Sequence, residues 1–456
     1  MTPNTALRPC RVTIAGAGVA GLTLALALEK TGIDYVLLEG YPEIVAQAGA
    51  GICLLPNGLR VLDQLGCYED LRDQVKGVLD TASVRDPSGE ALHISNGWSQ
   101  RLVERWGYSG FWCDRKMLLQ TLYDHIADKS KLLAKKRIET VQDGEGSVEV
   151  VTTDGSTYQA DILIGTDGTR SRVREEMVRR ANEHGVGHEY ADDKVSATYA
   201  CLFGLSSAVP GLSHGLLQWN LGHGYSYVVG TGPDDRAYWL LATNLGKTYH
   251  GENIPCFTEE DKERIVQEHW NDRITPDLRM SDLYKAKQHL VCTPLRETTY
   301  KKWSLGRMMV LGDAGHTMLP VIAQGGNQAL ESVAAMTNSL LAVLSQPAAG
   351  RMSKGEIRSM FEEVQELRAK RVTKIVDMGR QRQKMDAMET PELEEFMLTK
   401  YPSLLPGVLI DRWDQTFSPA VSLRSPAAPP RPKQVLFEDE MESSQGTANG
   451  STRLKL

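Results

Sequence analysis

Apolar residues recur along this chain with two periods, and the change from one to the other marks the elements. Arg11-Val12-Thr13-Ile14-Ala15 reads as a strand ending on Gly16, and the apolar run Val19 to Leu28 behind it keeps a helical period. A second strand, Tyr35-Val36-Leu37-Leu38, delivers Glu39. A helix is predicted from Pro56-Asn57 to about Leu65-Gly66. Residues 78–112 alternate like strands and carry Trp98, Trp106, Tyr108, Phe111 and Trp112, an aromatic cluster for a core or for the wall of an apolar pocket. Asp114-Arg115 opens another helix, and Ile138 to Tyr158 alternates around Asp143-Gly144 and Asp154-Gly155 as a small meander. Residues 195–295 return to strand character, with 198–203, 224–229 and 237–241 as neighbouring antiparallel strands of a separate sheet. Met308 to Leu311 is again a short apolar strand, followed by helices from Gly326-Asn327 and from about Lys354 to Lys384. Past Ser418, four prolines (426, 429, 430, 432) and an acidic, Ser/Gly-rich stretch predict disorder.

Composition narrows what such a chain can be. A net charge of −7 without a long Lys/Arg run excludes a nucleic-acid surface. No apolar run reaches the ~18 residues of a membrane span, and the short polar start does not resemble a signal peptide, so a cytoplasmic protein is expected, with peripheral membrane association left open. The seven cysteines lack C-x-x-C or metal-ligand spacing, so no metal and no redox pair is expected, only reduced thiols that pack as small apolar residues.

Candidate chemistry gathers at two glycine-rich turns. In Gly16-Ala17-Gly18-Val19-Ala20-Gly21, Gly16 permits the turn after the strand, Gly18 lets the backbone approach a pyrophosphate, and Gly21 lets the helix pack close. The helix N-terminus offers its free N–H groups to the phosphates. Glu39 stands where an acid accepts from ribose hydroxyls and disfavours a 2′-phosphate, so the tightly held nucleotide is FAD or NAD and not NADP. Gly312-Asp313-Ala314-Gly315-His316, far downstream, is the second turn, and the pair implies one large flavin nucleotide. With no second G-x-G-x-x-G, a nicotinamide donor has to visit the flavin domain or a surface cleft. His316 is expected to stabilise its turn and not to transfer protons.

A third element, Asp161-Ile162-Leu163-Ile164-Gly165-Thr166-Asp167-Gly168, runs into Arg170, Arg172 and Arg174, which supply charge for phosphates. Combined with the two turns, it resembles the D-G motif of class A flavin monooxygenases, the family of p-hydroxybenzoate hydroxylase, over roughly residues 10–380. Tyr41-Pro42-Glu43-Ile44, Leu54-Leu55-Pro56-Asn57-Gly58-Leu59 and Asp114-Arg115 are most similar to the fungal FAD-dependent epoxidases of meroterpenoid and indole-diterpene biosynthesis. The resemblance implies that Glu39 holds the adenosine ribose, Gly49 and Gly51 line the loop beside the flavin, Arg115 contacts the pyrophosphate or ribityl region, Asp167 serves FAD and NAD(P)H, Asp313 binds ribityl hydroxyls, and Gly326 presents its N–H to the flavin's pyrimidine edge. Ala323 stands at the first glycine of the family's P-x-x-G-x-G-G-N loop, where a positive φ would strain it, and Cys53 stands where the epoxidases often carry glycine.

The fold expected is α/β: a Rossmann-type FAD-binding domain (10–80, 113–185, 299–345) interleaved with a smaller, mainly antiparallel β-sheet substrate domain (81–112, 186–298), then C-terminal helices (346–417) and a disordered tail (418–456). The function expected is an FAD-dependent monooxygenase using NADPH or NADH and O2 to epoxidise the prenyl alkene of an apolar terpenoid, which needs no general base. Phenol hydroxylation is the alternative within enzymes. A binding protein that has lost its flavin is the alternative outside them, and Glu39, Arg115, Asp167 and Asp313 together argue against it. Tyr225 and Tyr227, two apart on one strand, share a face and are the candidate catalytic residues: either they pack a half-buried sheet face, or Tyr225 sets a phenol over the flavin on the substrate side.

Overall fold

A computed structural model describes residues 7–46, 51–191, 195–348 and 350–441. A six-stranded sheet in the order Ser304–Leu305, Met308–Val310, Ile162–Gly165, Arg11–Ala15, Asp34–Leu38, Leu132–Leu133 carries the nucleotide turns. It is parallel except at the Ser304–Leu305 edge, and its central strands are buried on both faces, which is why they read as continuous apolar runs. Three distant stretches of sequence thus meet in one sheet, with Val12 opposite Ile162 and Leu163 opposite Met308.

An eight-stranded sheet stands beside it, mainly antiparallel, in which Arg236–His250 lies between Ser196–Ala208 and Tyr225–Thr231. Both faces of this sheet are covered. Tyr227, Val229, Trp239 and Leu241 pack with Ile265, Val266, Met280 and Leu283 from two short helices, while Val228, Tyr238, Leu240 and Ala242 pack on the opposite side. The meander expected around Asp143 and Asp154 forms a separate antiparallel sheet of three strands.

Two expectations fail for identifiable reasons. Within 78–112, Trp98–Trp106 is a helix and not a strand: Trp98, Leu102 and Trp106 recur every fourth residue and bury one face. That face meets the same spacing on the helix Gly407–Phe417, with Trp98 and Trp413 ring centroids 4.8 Å apart and Trp106 and Phe417 5.1 Å apart. The segment following Ser418 is also placed, as far as Met441. It lies across the helix Pro56–Gln64: Arg60 donates to Asp439 at 2.9 Å and stacks 3.8 Å over the Phe437 ring, while Arg431 reaches Asp63 at 2.6 Å and Gln64 donates to the Pro426 carbonyl at 3.0 Å. The Pro-rich stretch is ordered because its charges find buried partners far away in sequence. Among the described residues no helix is long and apolar enough to cross a membrane, and no cluster of His, Cys, Asp or Glu is arranged to hold a metal.

Candidate active site

The first strand ends at Gly16, whose φ of +94° only glycine adopts without strain; a Cβ there would lie 2.8 Å from the Asp167 backbone. A Cβ on Gly21 would fall 1.9 Å from the Gly16 carbonyl, so the helix Val19–Thr31 comes this close to the turn only with glycine. Gly18 opens onto a cavity of about 300 Å³ between the two large sheets, and the N-terminus of Val19–Thr31 points into it. Glu39, at the end of the second strand, accepts from the Ala17 N–H at 2.6 Å and the Tyr41 N–H at 2.8 Å, which fixes its carboxylate beside the turn.

Arg115, Asp313, Gly51 and Gly326 reach the same cavity from four separate elements. Arg115 begins the helix Arg115–His125; burial lowers its guanidinium from the ordinary arginine value, and Asp313 and Glu39 oppose that. Burial raises the Asp313 carboxyl above the usual carboxylate range, and Arg115 pulls it back. Gly51 starts a strand paired to Phe111–Asp114, and Gly326 lies in the first turn of the buried helix Gly325–Leu344. Gly49 lies outside the described residues.

Other expected site residues point elsewhere. The Asp167 carboxylate turns back onto its own chain, accepting from the Ser171 hydroxyl at 2.5 Å and from the N–H groups of Arg172 at 2.7 Å and Val173 at 3.1 Å; its neighbours Thr166 and Gly168 are the ones that line the cavity. Arg172 pairs with Glu175 and Glu176, and Arg174 stacks on Tyr300, so neither is spent on the cavity. Tyr225 and Tyr227 share a face, but it is the one turned from the cavity. The Tyr227 hydroxyl donates to Asp272 at 2.9 Å, the Tyr225 ring lies 4.7 Å from His269, and burial beside Asp272 raises both phenols. They pack the sheet against the two short helices and are not among the residues that line the cavity. His316 is fully buried, 3.0 Å from the Ser332 hydroxyl, and burial together with Arg368 lowers it to about 3, so it stays neutral and holds its turn.

The cavity wall opposite the nucleotide turns is apolar and aromatic: Phe203, Val228, Leu240, Met318, and the rings of Trp112 and Tyr238, stacked 5.8 Å apart at 10°. Tyr238 donates to Asp114 at 2.8 Å, and Asp114 also pairs with Arg236, so this ring is held in place. Tyr238 lies on Arg236–His250, the strand next to that of the tyrosines favoured in the sequence, and its alternation alone does not single it out, because both faces of the sheet are buried. The titratable groups on the described lining are Cys53, Arg115, Tyr238 and Asp313. Burial raises both the Cys53 thiol and the Tyr238 phenol, so neither is ionised to act as a base at neutral pH. Ala323, at the end of the turn Pro320–Ile322, takes φ +55°, the left-handed conformation the family's glycine would suit.

A family model described as an FAD binding domain matches residues 9–355. The chain belongs to the FAD-dependent monooxygenases. It is 37% identical over 383 residues to the FAD-dependent monooxygenase olcE of Penicillium canescens, covering 83% of this chain and 82% of that one. To the FAD-dependent monooxygenase verC1 of Penicillium polonicum it is 36% identical over 379 residues, which cover 83% of this chain but only 47% of that longer one. In fold it is similar to HpxO of Klebsiella pneumoniae complexed with FAD, at a TM-score of 0.72 and 23% identity, covering 90% of this chain and 98% of that one.

The lining of this monooxygenase fits the cofactor. Two helix N-termini open on one cavity, Gly168 and Gly325 leave open space where a side chain would stand, and a cation and a carboxylate face that space from Arg115 and Asp313. Bound FAD supplies two-electron storage and the activation of O2. Such a cofactor would be held by the N–H groups of the helix end at Gly18, by Glu39 beside that turn as an acceptor for ribose hydroxyls, and by the positive helix end at Gly325 and Gly326.

Proposed function

We propose that this monooxygenase epoxidises a prenyl alkene of an apolar terpenoid or meroterpenoid intermediate in fungal secondary metabolism. Alkene, O2, NAD(P)H and a proton give epoxide, NAD(P)+ and water. The observation that supports this reading is the composition of the wall facing the nucleotide turns: aromatic and aliphatic groups from Trp112, Phe203, Val228, Tyr238 and Leu240, with no carboxylate or imidazole on that wall among the described residues. An alkene needs only to be held close and kept dry, which such a wall does. Trp112 and Tyr238 would clamp the chain between them and the flavin side of the cavity, and Met318 would close one end. The nicotinamide donor would reach the flavin from solvent.

The test supplies the FAD-loaded protein with NADPH or NADH, O2 and either a prenylated quinol or the same phenol without its prenyl chain. A gain of one oxygen located on the prenyl chain by fragmentation mass spectrometry is expected. Oxygen on the ring, with the unprenylated phenol turned over equally well, would overturn the reading in favour of aromatic hydroxylation.

A further inference from the structure

Behind the turn Pro320–Ile322, a narrow chamber of about 30 Å³ runs between the strand Leu216–Leu221 and the helix Gly407–Phe417. Leu55, Leu217, Leu409 and the rings of Trp219 and Trp413 wall it, while Trp112, Val228 and Ala323 line both this chamber and the flavin cavity and stand at the boundary of the two. Its far end is not apolar. Arg382, 1% exposed, enters from the long helix Lys354–Asp386; its Nε donates to Asp386 at 2.7 Å, Nη1 donates to the Tyr401 hydroxyl at 2.6 Å, and Trp219 lies under the guanidinium at 4.8 Å. Its buried Nη2 has no hydrogen-bond partner. Arg412 reaches the same end from the opposite wall, within interaction distance of the Tyr401 hydroxyl. Both arginines also line a second pocket of about 170 Å³, whose rim includes the half-exposed Leu404. Burial and the like charge of Arg382 lower Arg412, so two guanidinium groups share this spot with the single carboxylate of Asp386.

A donor buried without a partner is unfavourable unless something arrives to accept from it. We propose that Arg382 and Arg412 form a head-group site for a substrate that carries a carboxylate or an acidic enol, with its prenyl chain running past Trp219 and Trp413 to the flavin cavity. This rests on the prenyl-alkene reading above and adds the polar end of the molecule. The two guanidinium groups supply charge-assisted hydrogen bonds to an anionic head, and the apolar walls between head and flavin measure out the chain. Seating a chain requires the chamber to widen, with Leu409 and Trp413 of the short helix Gly407–Phe417 giving way.

Calorimetric titration of the FAD-loaded protein with farnesoic acid and with farnesol, which share a chain and differ in the charge of the head, tests this. The acid is expected to bind at least about tenfold more tightly than the alcohol. Arg412→Gln should bring the two affinities together while leaving farnesol binding and FAD content as they are. Arg382→Lys, which keeps a cation beside Asp386, is the second variant and should reduce the preference in the same direction. Equal binding of the two probes, binding of neither, or an Arg412→Gln protein that keeps its FAD and its acid preference would overturn the head-group site. Because the readout is binding and not product, its failure leaves epoxidation standing, and acid-selective binding without prenyl oxidation would count against the reaction instead.

Discussion

Phe437 offers the sharpest test of the packed C-terminal segment, because composition alone assigns that segment to disorder. Its side chain is 0% exposed and lies under the Arg60 guanidinium, itself 2% exposed. Truncating a buried phenylalanine to alanine costs about 3–5 kcal/mol. Unfolding entropy near 2.1 cal/mol/K per residue over 456 residues comes to about 1 kcal/mol/K, so Phe437→Ala should lower Tm by about 3–5 °C if the chain melts as one unit. The neighbouring Leu436, 47% exposed, is the control: Leu436→Ala should stay within about 0.5 kcal/mol of wild type. Differential scanning calorimetry of the two FAD-loaded variants makes the comparison. A Phe437→Ala protein that melts within about 1 °C of wild type would show that the segment contributes nothing to stability and that the packing argument is wrong.

Asp313→Ala should lose FAD during purification, seen as a fall in the ratio of flavin to protein absorbance, because ribityl hydroxyls would then be buried unpaired at about 1–3 kcal/mol each; full occupancy would remove Asp313 from the flavin site. Ala323→Gly relieves a left-handed alanine worth about 1–2 kcal/mol, less the roughly 0.4–1 kcal/mol of chain entropy glycine adds to the unfolded state, so the urea midpoint should hold or rise slightly, and a clear fall would contradict the φ of +55°. Glu331 is fully buried; burial pushes its carboxyl up, but Arg371 and Arg368 prevail and hold it at about 2. A depressed value means its stabilisation is present above the ordinary glutamate range and is lost as pH falls toward about 2, so the stability gap between wild type and Glu331→Gln should narrow from pH ~5 to pH ~3; a gap independent of pH would refute this.

The nucleotide end was legible because its constraints are local. A strand, a turn that must accept positive φ at Gly16, a close approach at Gly21 and an acid at Glu39 all fall within one short stretch. Arg115 and Gly326 were found only by resemblance, and Asp313 drew its role from it, since nothing local shows that the three meet. The two tyrosines expected to be catalytic show where periodicity stops. Alternation puts Tyr225 and Tyr227 on one face, but both faces of that sheet are buried, so parity could not say which one turns to the flavin. The tail and the Trp98–Trp106 helix were missed for a related reason: Asp63 and Arg60 for the first, Trp413 and Phe417 for the second, lie hundreds of residues away and outweigh local composition and alternation.

The order of strands in the six-stranded sheet also governs when the protein can take up its cofactor. During synthesis the Gly16 turn and Glu39 emerge early, but the strand that pairs with Ile162–Gly165 begins at Met308, and the helix end at Gly325 follows later still. Ligand stabilisation acts only on a chain that already presents the whole site. The edge of Ile162–Gly165 that faces Met308–Val310 thus stays unpaired until most of the chain has been made. A site that draws on Gly18, Asp313 and Gly325 together would be complete only late in synthesis.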